Sequence, residues 1–282
     1  MNMSFSKFEI EKFSSKFREI IDWMRVGQHS QEIEGDLKLF MYNKKELQRH
    51  PDSAKALRTL VELIVTQAWY YRKPAEYDRE IADFLKVHGA NFRKDVAQKR
   101  LMNIVKKVTP APIREEAQER VENLLKYETI EKFTRKLYES SQLGKENSIL
   151  GEKGRDNYLR DFGYWDRIPM DRHEMRFIIR TGIYHSCSAN NFSDPTDKKS
   201  LHDSLTRFCS DYLTQKKLKI QTQGELELVD LGNAPGIVDL FIWSYCGKGR
   251  YNICASSPKC DKCKLHNTCL YGLQPHCGTS LI

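Results

Sequence analysis

The sequence contains no long apolar run, no internal repeat and no low-complexity tract. Its longest apolar stretches, Ile237-Val238 and Leu240 to Trp243, are interrupted by Asp239, and both are far shorter than the roughly 20 residues that a membrane-spanning helix needs. The first residues alternate charged and apolar side chains, unlike the apolar centre of a signal peptide. We therefore expect a protein that contacts no membrane and works in the cytoplasm, on the nucleoid if the source is prokaryotic.

Signatures of several enzyme classes are absent as well: there is no Ser/His/Asp arrangement, no phosphate-binding P-loop and no dinucleotide fingerprint. Strand-like alternation is missing from the first 180 residues, where apolar residues instead recur every three or four positions. The chain is predicted to be all-α, with helices near residues 6–24, 54–68, 75–88, 93–108, 112–126, 128–140, 171–184, 200–216 and from Pro235. Residues 27–53 predict a connector or short helices, and residues 218–229 a short hairpin or an irregular segment.

Charge and cysteine content point to a polyanionic partner and to a metal site. The net charge is +8, which suits a polyanion because each Lys or Arg placed against a phosphate releases counterions. Of the eight cysteines, four are scattered and four fall within sixteen residues: Cys254, Cys260, Cys263 and Cys269. In a reducing cytosol this distribution favours a metal site plus buried free thiols over disulfides.

The spacing of the clustered cysteines bears on which metal they would bind. Their gaps are five, two and five residues, so a single short loop carries all four thiols. A four-cysteine zinc site usually contains two C-x₂-C pairs, and this loop has only one. Iron–sulfur clusters accept uneven spacings of this kind. The loop therefore favours an iron–sulfur cluster, with zinc and unliganded thiols as the alternatives.

A second candidate site begins at Asp171. The pattern Asp171-x-x-Glu174 is typical of a capping box, in which a carboxylate accepts hydrogen bonds from the first backbone N–H groups of a helix. Those donors and the helix dipole also keep a carboxylate ionised. A fixed negative charge would stabilise positive charge that develops on a sugar as its base leaves, so the capping role and a catalytic role are compatible.

The cysteine loop resembles that of the endonuclease III-like DNA glycosylases, the iron–sulfur branch of the helix-hairpin-helix superfamily. The family's loop reads C-x₆-C-x₂-C-x₅-C, so the first gap is one residue shorter here. The Pro-Lys before the second cysteine and the basic residues Lys259, Lys262 and Lys264 are also similar. The resemblance implies that the four cysteines hold a [4Fe-4S] cluster and that these three lysines contact DNA phosphates; surface solubility is their alternative role.

The segment around Asp171 resembles the same family. Residues 168–173, Ile-Pro-Met-Asp-Arg-His, with Arg176 and Arg180 after them, are similar to the family's V-D-T-H segment and its arginine-bearing helix. Arg172 replaces the usual threonine. The resemblance implies that Asp171 is the catalytic aspartate.

Two further segments resemble the same family less closely. The family's hairpin, L-P-G-V-G-x-K, carries a lysine 18 residues before the aspartate, and here that position is Lys153, within Gly151-Glu152-Lys153-Gly154-Arg155. The resemblance implies that Lys153 forms a Schiff base while Gly151, Gly154 and Arg155 face a phosphate in a tight turn. The glycines are spaced G-x-x-G and the proline is missing, so the lysine position can instead fall near Asp156, leaving Lys153 an ordinary solvated lysine.

Gln67, in Val65-Thr66-Gln67-Ala68, resembles the family's S-A-Q-A segment, whose glutamine enters the gap left by a flipped-out base. The alternative is a satisfied helix cap.

Taken together, the resemblance implies a two-domain helix-hairpin-helix DNA glycosylase that acts as a monomer in base excision repair. Residues 53–165 would form a helical barrel domain with the hairpin, and residues 1–52 would join 166–282 in a cluster domain. Double-stranded DNA with a damaged or mismatched base would bind between them. Asp171 would stabilise an oxocarbenium-like transition state, and Lys153, if correctly placed, would add AP lyase activity by β-elimination. The alternatives are a non-catalytic iron–sulfur DNA-binding or sensing protein and a zinc-bound structural protein.

Overall fold

The computed structural model describes residues 9–66, 75–109, 111–140, 150–187, 197–222 and 224–273. Within these ranges the chain is mostly helical, and its strands form one two-stranded hairpin. The predicted all-α class is confirmed at this level. No helix in the described ranges combines the length and the apolar character needed to cross a membrane.

Twelve α-helices are present in these ranges. In chain order they are α1 (Ile10–Val26), α2 (Ser30–Arg49), α3 (Ala54–Thr66), α4 (Ala75–His88), α5 (Asp95–Val108), α6 (Arg114–Leu125), α7 (Ile130–Ser140), α8 (Glu152–Asp161), α9 (Arg172–Thr181), α10 (Ile183–Cys187), α11 (Lys198–Tyr212) and α12 (Pro235–Cys246). The predicted helices correspond to these with ends shifted by a few residues. The helix predicted near residues 171–184 is two helices, because Gly182, with φ of 89°, ends α9 before α10 begins.

The connector or short helices predicted over residues 27–53 are wrong, because α2 is one continuous helix of 20 residues. Ile33, Leu37 and Met41 recur at helical spacing and are fully buried. Gly35 lies inside the helix with open space around it. A glycine in a helix interior costs about 1 kcal/mol, whereas each buried aliphatic side chain contributes roughly 1.5–3 kcal/mol. The buried stripe therefore outweighs the glycine.

Contacts divide the chain into two compact units, Met1–Leu39 with Trp165–Ile282, and Phe40–Tyr164. The first boundary falls inside α2, whereas the sequence prediction placed it between residues 52 and 53. A helix that continues through a boundary leaves no turn residues there to mark it.

The unit Phe40–Tyr164 has its core around α3, which packs against α4, α6 and α8. On α3, Leu57, Leu60, Val61 and Ile64 recur at helical spacing and are buried, each at most 2% exposed. The helix predicted near residues 54–68 is therefore the buried helix at the centre of this unit.

The other unit is built around an aromatic cluster and the apolar helix α12. Rings of Phe13, Phe17, Phe177 and Phe208 lie with their centroids 5.5–6.4 Å apart, joining α1, α9 and α11. Eleven of the twelve residues of α12 are buried, and this helix packs against α9 and α11. These contacts fix α9 and the C-terminal end of α12, the two elements from which the candidate site is built.

The short hairpin expected over residues 218–229 is present. Strand β1 (Lys217–Gln221) pairs antiparallel with β2 (Leu226–Asp230), and Gly224 in the turn has φ of +83°. Leu218 and Ile220 are buried, which gives β1 the period-two pattern seen in the sequence.

Candidate functional site

The cysteine loop begins where α12 ends and folds back along that helix. The backbone N–H of Tyr251 donates to the carbonyl of Ser244 at 3.1 Å, and that of Ile253 donates to Tyr245 at 2.8 Å. Further on, a short 3₁₀ turn, Cys260–Lys262, sets the C-x₂-C pair. Backbone hydrogen bonds of this kind hold the loop in place without regular secondary structure.

The far end of the loop is tied to the C-terminal end of α9. The N–H groups of Leu270 and Tyr271 donate to the carbonyls of Thr181 (3.4 Å) and Arg180 (2.8 Å), which lie at a helix end where carbonyls lack intrahelical partners. Gly272 follows, and a Cβ at this position would overlap the carbonyl oxygen of His266. Only glycine therefore fits there, and its N–H donates to Sγ of Cys269 at 3.2 Å.

The four cysteines of the loop line one cavity. Its walls are Cys254, Cys260, Cys263 and Cys269 with Phe177, Arg180, Thr181, Tyr245, Ile253, Pro258, Lys259, Leu265 and Tyr271. The hydroxyl of Tyr245 lies 3.3 Å from Sγ of Cys263. The structure thus places the four predicted ligands in the walls of one cavity. In the described part of the chain, no group of three or more His, Cys, Asp or Glu side chains is arranged to hold a metal ion.

A buried arginine reinforces this loop. Arg180 on α9 is only 9% exposed, and its guanidinium donates to the carbonyls of Ala255 (2.5 Å) and Ser256 (3.1 Å). The same group lies over the ring of Tyr271, 5.5 Å from its centroid. Arg180 therefore joins the two ends of the loop and places a positive charge in the wall of the cavity.

A fifth cysteine, Cys246, is the last residue of α12 and is fully buried. The neighbouring Cys246 side chain, together with the charges of Arg180 and Arg176, lowers the pKa of Cys254 to about 7, while burial raises the pKa of Cys246. The thiolate is the form of cysteine that binds metals, so the surroundings favour metal binding at Cys254. The sequence indicated Cys246 only as one of the scattered thiols.

No family model, curated protein or solved structure matches this chain. The resemblance to the iron–sulfur DNA glycosylases therefore rests on the short motifs around Gln67, Lys153, Asp171 and the four clustered cysteines.

Asp171 lies at the N-terminus of α9, as its capping pattern predicts. Its Oδ1 accepts a hydrogen bond from the N–H of His173 at 2.6 Å, and its own N–H donates to Oε2 of Glu174 at 3.0 Å. Both halves of the predicted capping box are present. Asp171 is half-buried, so its carboxylate is fixed by the helix and retains access to solvent.

Two buried carboxyl groups lie behind Asp171. Glu174 and Asp239, the latter on α12, are each 1% exposed. Burial raises the pKa of Glu174 well above its ordinary value, and the negative charges of Asp239 and Asp171 raise it further. These surroundings disfavour the charged form of Glu174. The sequence signal for Asp239 was that it alone carries charge in the apolar helix α12.

We expect Glu174→Gln to flatten the pH dependence of stability. Since the folded protein keeps the Glu174 proton to higher pH than the unfolded chain, stability is full below the ordinary pKa and falls as pH rises towards the raised one. One such proton gives a slope of up to about 1.4 kcal/mol per pH unit. Glutamine stays neutral and still accepts from the Asp171 N–H. Urea unfolding at several pH values tests this, and Glu19→Gln on the exposed face of α1 is the control; equal slopes for wild type and Glu174→Gln would contradict it.

The residues of the predicted hairpin open a helix instead. Gly151 is the extended residue before α8, and Lys153 and Gly154 lie in its first turn, so the predicted tight turn over residues 151–154 is wrong. Gly154 is buried and Lys153 is exposed. The helix persists through Gly154 because Tyr158 and Leu159 further along it are fully buried.

The remaining predicted DNA contacts are distributed over both units. Arg155 is ion-paired with the adjacent Asp156 (Nε–Oδ1, 3.0 Å). Lys259, Lys262 and Lys264 are exposed on the loop, and Nζ of Lys264 lies over the ring of Trp23, 4.8 Å from its centroid. Gln67 lies outside the described residues.

Proposed function

We propose that this protein is an iron–sulfur DNA glycosylase that excises a damaged or mismatched base. The observation that carries the proposal is the set of contacts at the two ends of helix α9. Its first turn fixes the carboxylate of Asp171, and its last turn is bound to the cysteine loop through Arg180 and Thr181. One rigid element therefore connects the candidate catalytic group to the candidate metal centre, and ten residues of helix separate them by about 15 Å.

The residue types around the cavity suit a [4Fe-4S] cluster. All four cysteines of the loop line one cavity, and four cysteine thiolates are the usual ligands of such a cluster. The cationic Arg180 in the wall suits a centre ligated by negatively charged thiolates. When bound, the cluster would cross-link the loop and supply a redox-active iron centre, and in this proposal it takes no part in breaking the glycosidic bond.

The chemistry would be performed by Asp171. Enzymes that act on a base extrude its nucleotide from the duplex into a pocket. As the bond from base to sugar breaks, positive charge develops on the sugar, and a preorganised carboxylate stabilises it electrostatically. The hydrogen bond from the His173 N–H and the buried Glu174 hold Asp171 in one orientation before the substrate arrives. Water then adds to C1′ and yields the free base and an abasic site.

An accompanying lyase activity would depend on Lys153. Its amine, on the exposed first turn of α8, would attack C1′, expel the base and form a Schiff base, from which β-elimination cleaves the strand. The exposed Lys259, Lys262 and Lys264, with the net charge of +8, would contact the DNA backbone, and Gln67 would occupy the space of the flipped base.

A second candidate is an iron–sulfur protein that binds DNA without excising a base. The observation in its favour is the start of α8, where the tight turn implied by the family hairpin is replaced by helix. This second candidate predicts a protein that holds its cluster on all four cysteines and binds DNA but releases no base.

The test is a panel of duplexes, each with one lesion or mismatch, incubated with anaerobically purified protein. We expect base release from at least one duplex and a covalent adduct on adding borohydride. The adduct should disappear in Lys153→Ala and persist in Lys136→Ala, an exposed helix lysine in the same unit. Base release without an adduct would indicate a monofunctional enzyme. DNA binding with no release on any duplex would favour the second candidate, and a colourless protein containing one zinc would overturn both.

A further inference from the structure

Helix α9 carries three arginines at helical spacing. Arg172, Arg176 and Arg180 are four residues apart, and each step of four residues turns by about 40° around the helix, so the row drifts slowly from one side towards the next. At its end Arg180 is buried and donates to two carbonyls of the cysteine loop. Arg172 is exposed and Arg176 is half-buried, and within the described ranges neither guanidinium has a hydrogen-bond or ion-pair partner. Two cations of the row therefore have their donors available for a ligand.

These two arginines lie on the outer side of α9, beside Asp171. The opposite side packs against α11 and α12 and buries Glu174, Phe177, Ile178 and Thr181. Arg172 follows Asp171 directly, and Arg176 comes one turn later. As a cation at a helix N-terminus, Arg172 gains nothing from the helix dipole, which favours anions at that end. Its position is thus explained by a ligand better than by the stability of the helix.

We propose that Arg172 and Arg176 form a phosphate clamp on the DNA strand that carries the target base. The inference rests on the proposed glycosylase and names the partner of the surface beside its catalytic group. Arginine offers a planar fork of donors that binds two phosphate oxygens at once. The two residues are about 6 Å apart along the helix, comparable with one to two nucleotide steps of about 3.4 Å on a single strand. Because Asp171 acts on the sugar of the extruded nucleotide, the phosphates nearest to these arginines belong to the same strand.

The test measures binding of a duplex in which one strand contains a tetrahydrofuran abasic-site analogue. This probe presents the sugar without a base, so the excised base need not be known. Affinity is measured between roughly 50 and 200 mM salt, where each lost phosphate contact lowers the slope of log K against log salt by about 0.9. We expect that decrease in Arg172→Gln and in Arg176→Gln, and about 1.8 in the double variant. Arg207→Gln, an exposed arginine on α11, is the control and should keep the wild-type slope.

Two further measurements separate a phosphate contact from a change in folding and identify the strand. The double variant Arg172→Lys/Arg176→Lys keeps both charges and should recover the wild-type slope with weaker binding, because lysine lacks the fork. Single phosphates near the analogue are then replaced by uncharged methylphosphonates. On the analogue strand, one replacement should weaken wild type and leave Arg172→Gln unaffected, since both changes remove the same contact. On the opposite strand, every replacement should affect the two proteins equally.

The outcomes distinguish the clamp from the proposed function. If wild type binds the duplex and both Gln variants keep its slope, the clamp is overturned, and base release by wild type would still support the glycosylase. Coupling of Arg172→Gln to phosphates of the opposite strand also overturns the clamp. Coupling on the analogue strand without base release from any lesion duplex would support the arginine–phosphate contacts and overturn the glycosylase. A wild-type protein with no affinity for DNA overturns both.

Discussion

Asp171→Asn is expected to lower the rate of base release by at least about 100-fold, in the range found when one preorganised electrostatic group is removed from an active site. Asparagine has nearly the same shape and is a good N-cap, so its amide oxygen still accepts the His173 N–H. What the variant lacks is the negative charge. We therefore expect unchanged thermal stability, iron content and DNA affinity, with the loss confined to the single-turnover rate on a duplex that wild type processes.

The chain supplies a matched control in Asp197, which caps α11. Its carboxylate accepts hydrogen bonds from the N–H groups of Lys199 (3.2 Å) and Ser200 (3.1 Å), so it performs the capping role of Asp171 with no proposed part in chemistry. Asp197→Asn should release base at the wild-type rate. Release by Asp171→Asn at the wild-type rate would mean that Asp171 is only a cap and that the catalytic assignment is wrong.

The contrast between Asp171 and Glu174 shows which parts of the site were predictable. The capping box depends on residues three apart in sequence, and the geometry of a helix start determines it, so the sequence predicted it correctly. The burial and the raised pKa of Glu174 depend on α12, whose Asp239 lies 65 positions later. Packing of α9 against α12 brings these carboxyl groups together, and no local pattern contains that information.

Glycine was the least dependable signal for the fold. A connector or short helices were predicted over the segment that contains Gly35, and a tight turn over the segment that contains Gly154, yet both residues lie within longer helices. At Gly182, where the helix does end, φ is 89°, a conformation that glycine adopts without steric cost. A glycine permits a break, and the burial of side chains on either side decides whether the helix continues.

In the cysteine loop, too, the local features were predictable from the sequence and the long-range contacts were not. Its four clustered thiols were predicted to act together because the spacing is short, and the structure places them around one cavity. Cys246 was not singled out, since the backbone hydrogen bonds that return the chain to α12 leave no periodic trace in the sequence. Arg180 was noted only as part of a motif, and its contacts with carbonyls 75 and 76 residues away were not predictable.

Because Arg180 donates to the carbonyls of Ala255 and Ser256, Arg180→Met is the substitution with the largest expected effect on stability. Methionine fills much of the same volume but donates no hydrogen bond, so the carbonyls of Ala255 and Ser256 would lose the donors that Arg180 provides. Leaving the buried carbonyl of Ala255 unsatisfied costs about 1–3 kcal/mol, whereas Ser256 is exposed and its carbonyl can bind water instead. Because the same carbonyls belong to the cysteine loop, we also expect iron to be lost faster to a chelator.

Denaturant unfolding and the rate of iron release in chelator measure these two effects. Arg172→Met, an exposed arginine on the same helix, is the control and should change neither. Arg180→Lys separates charge from geometry, since a lysine keeps the positive charge but cannot donate to both carbonyls from a rigid planar group. If the two carbonyl contacts hold the loop, Arg180→Lys should lie between wild type and Arg180→Met in both measurements. Wild-type behaviour of Arg180→Met would show that the backbone ties from Leu270 and Tyr271 to the end of α9 are sufficient to hold the loop without the guanidinium.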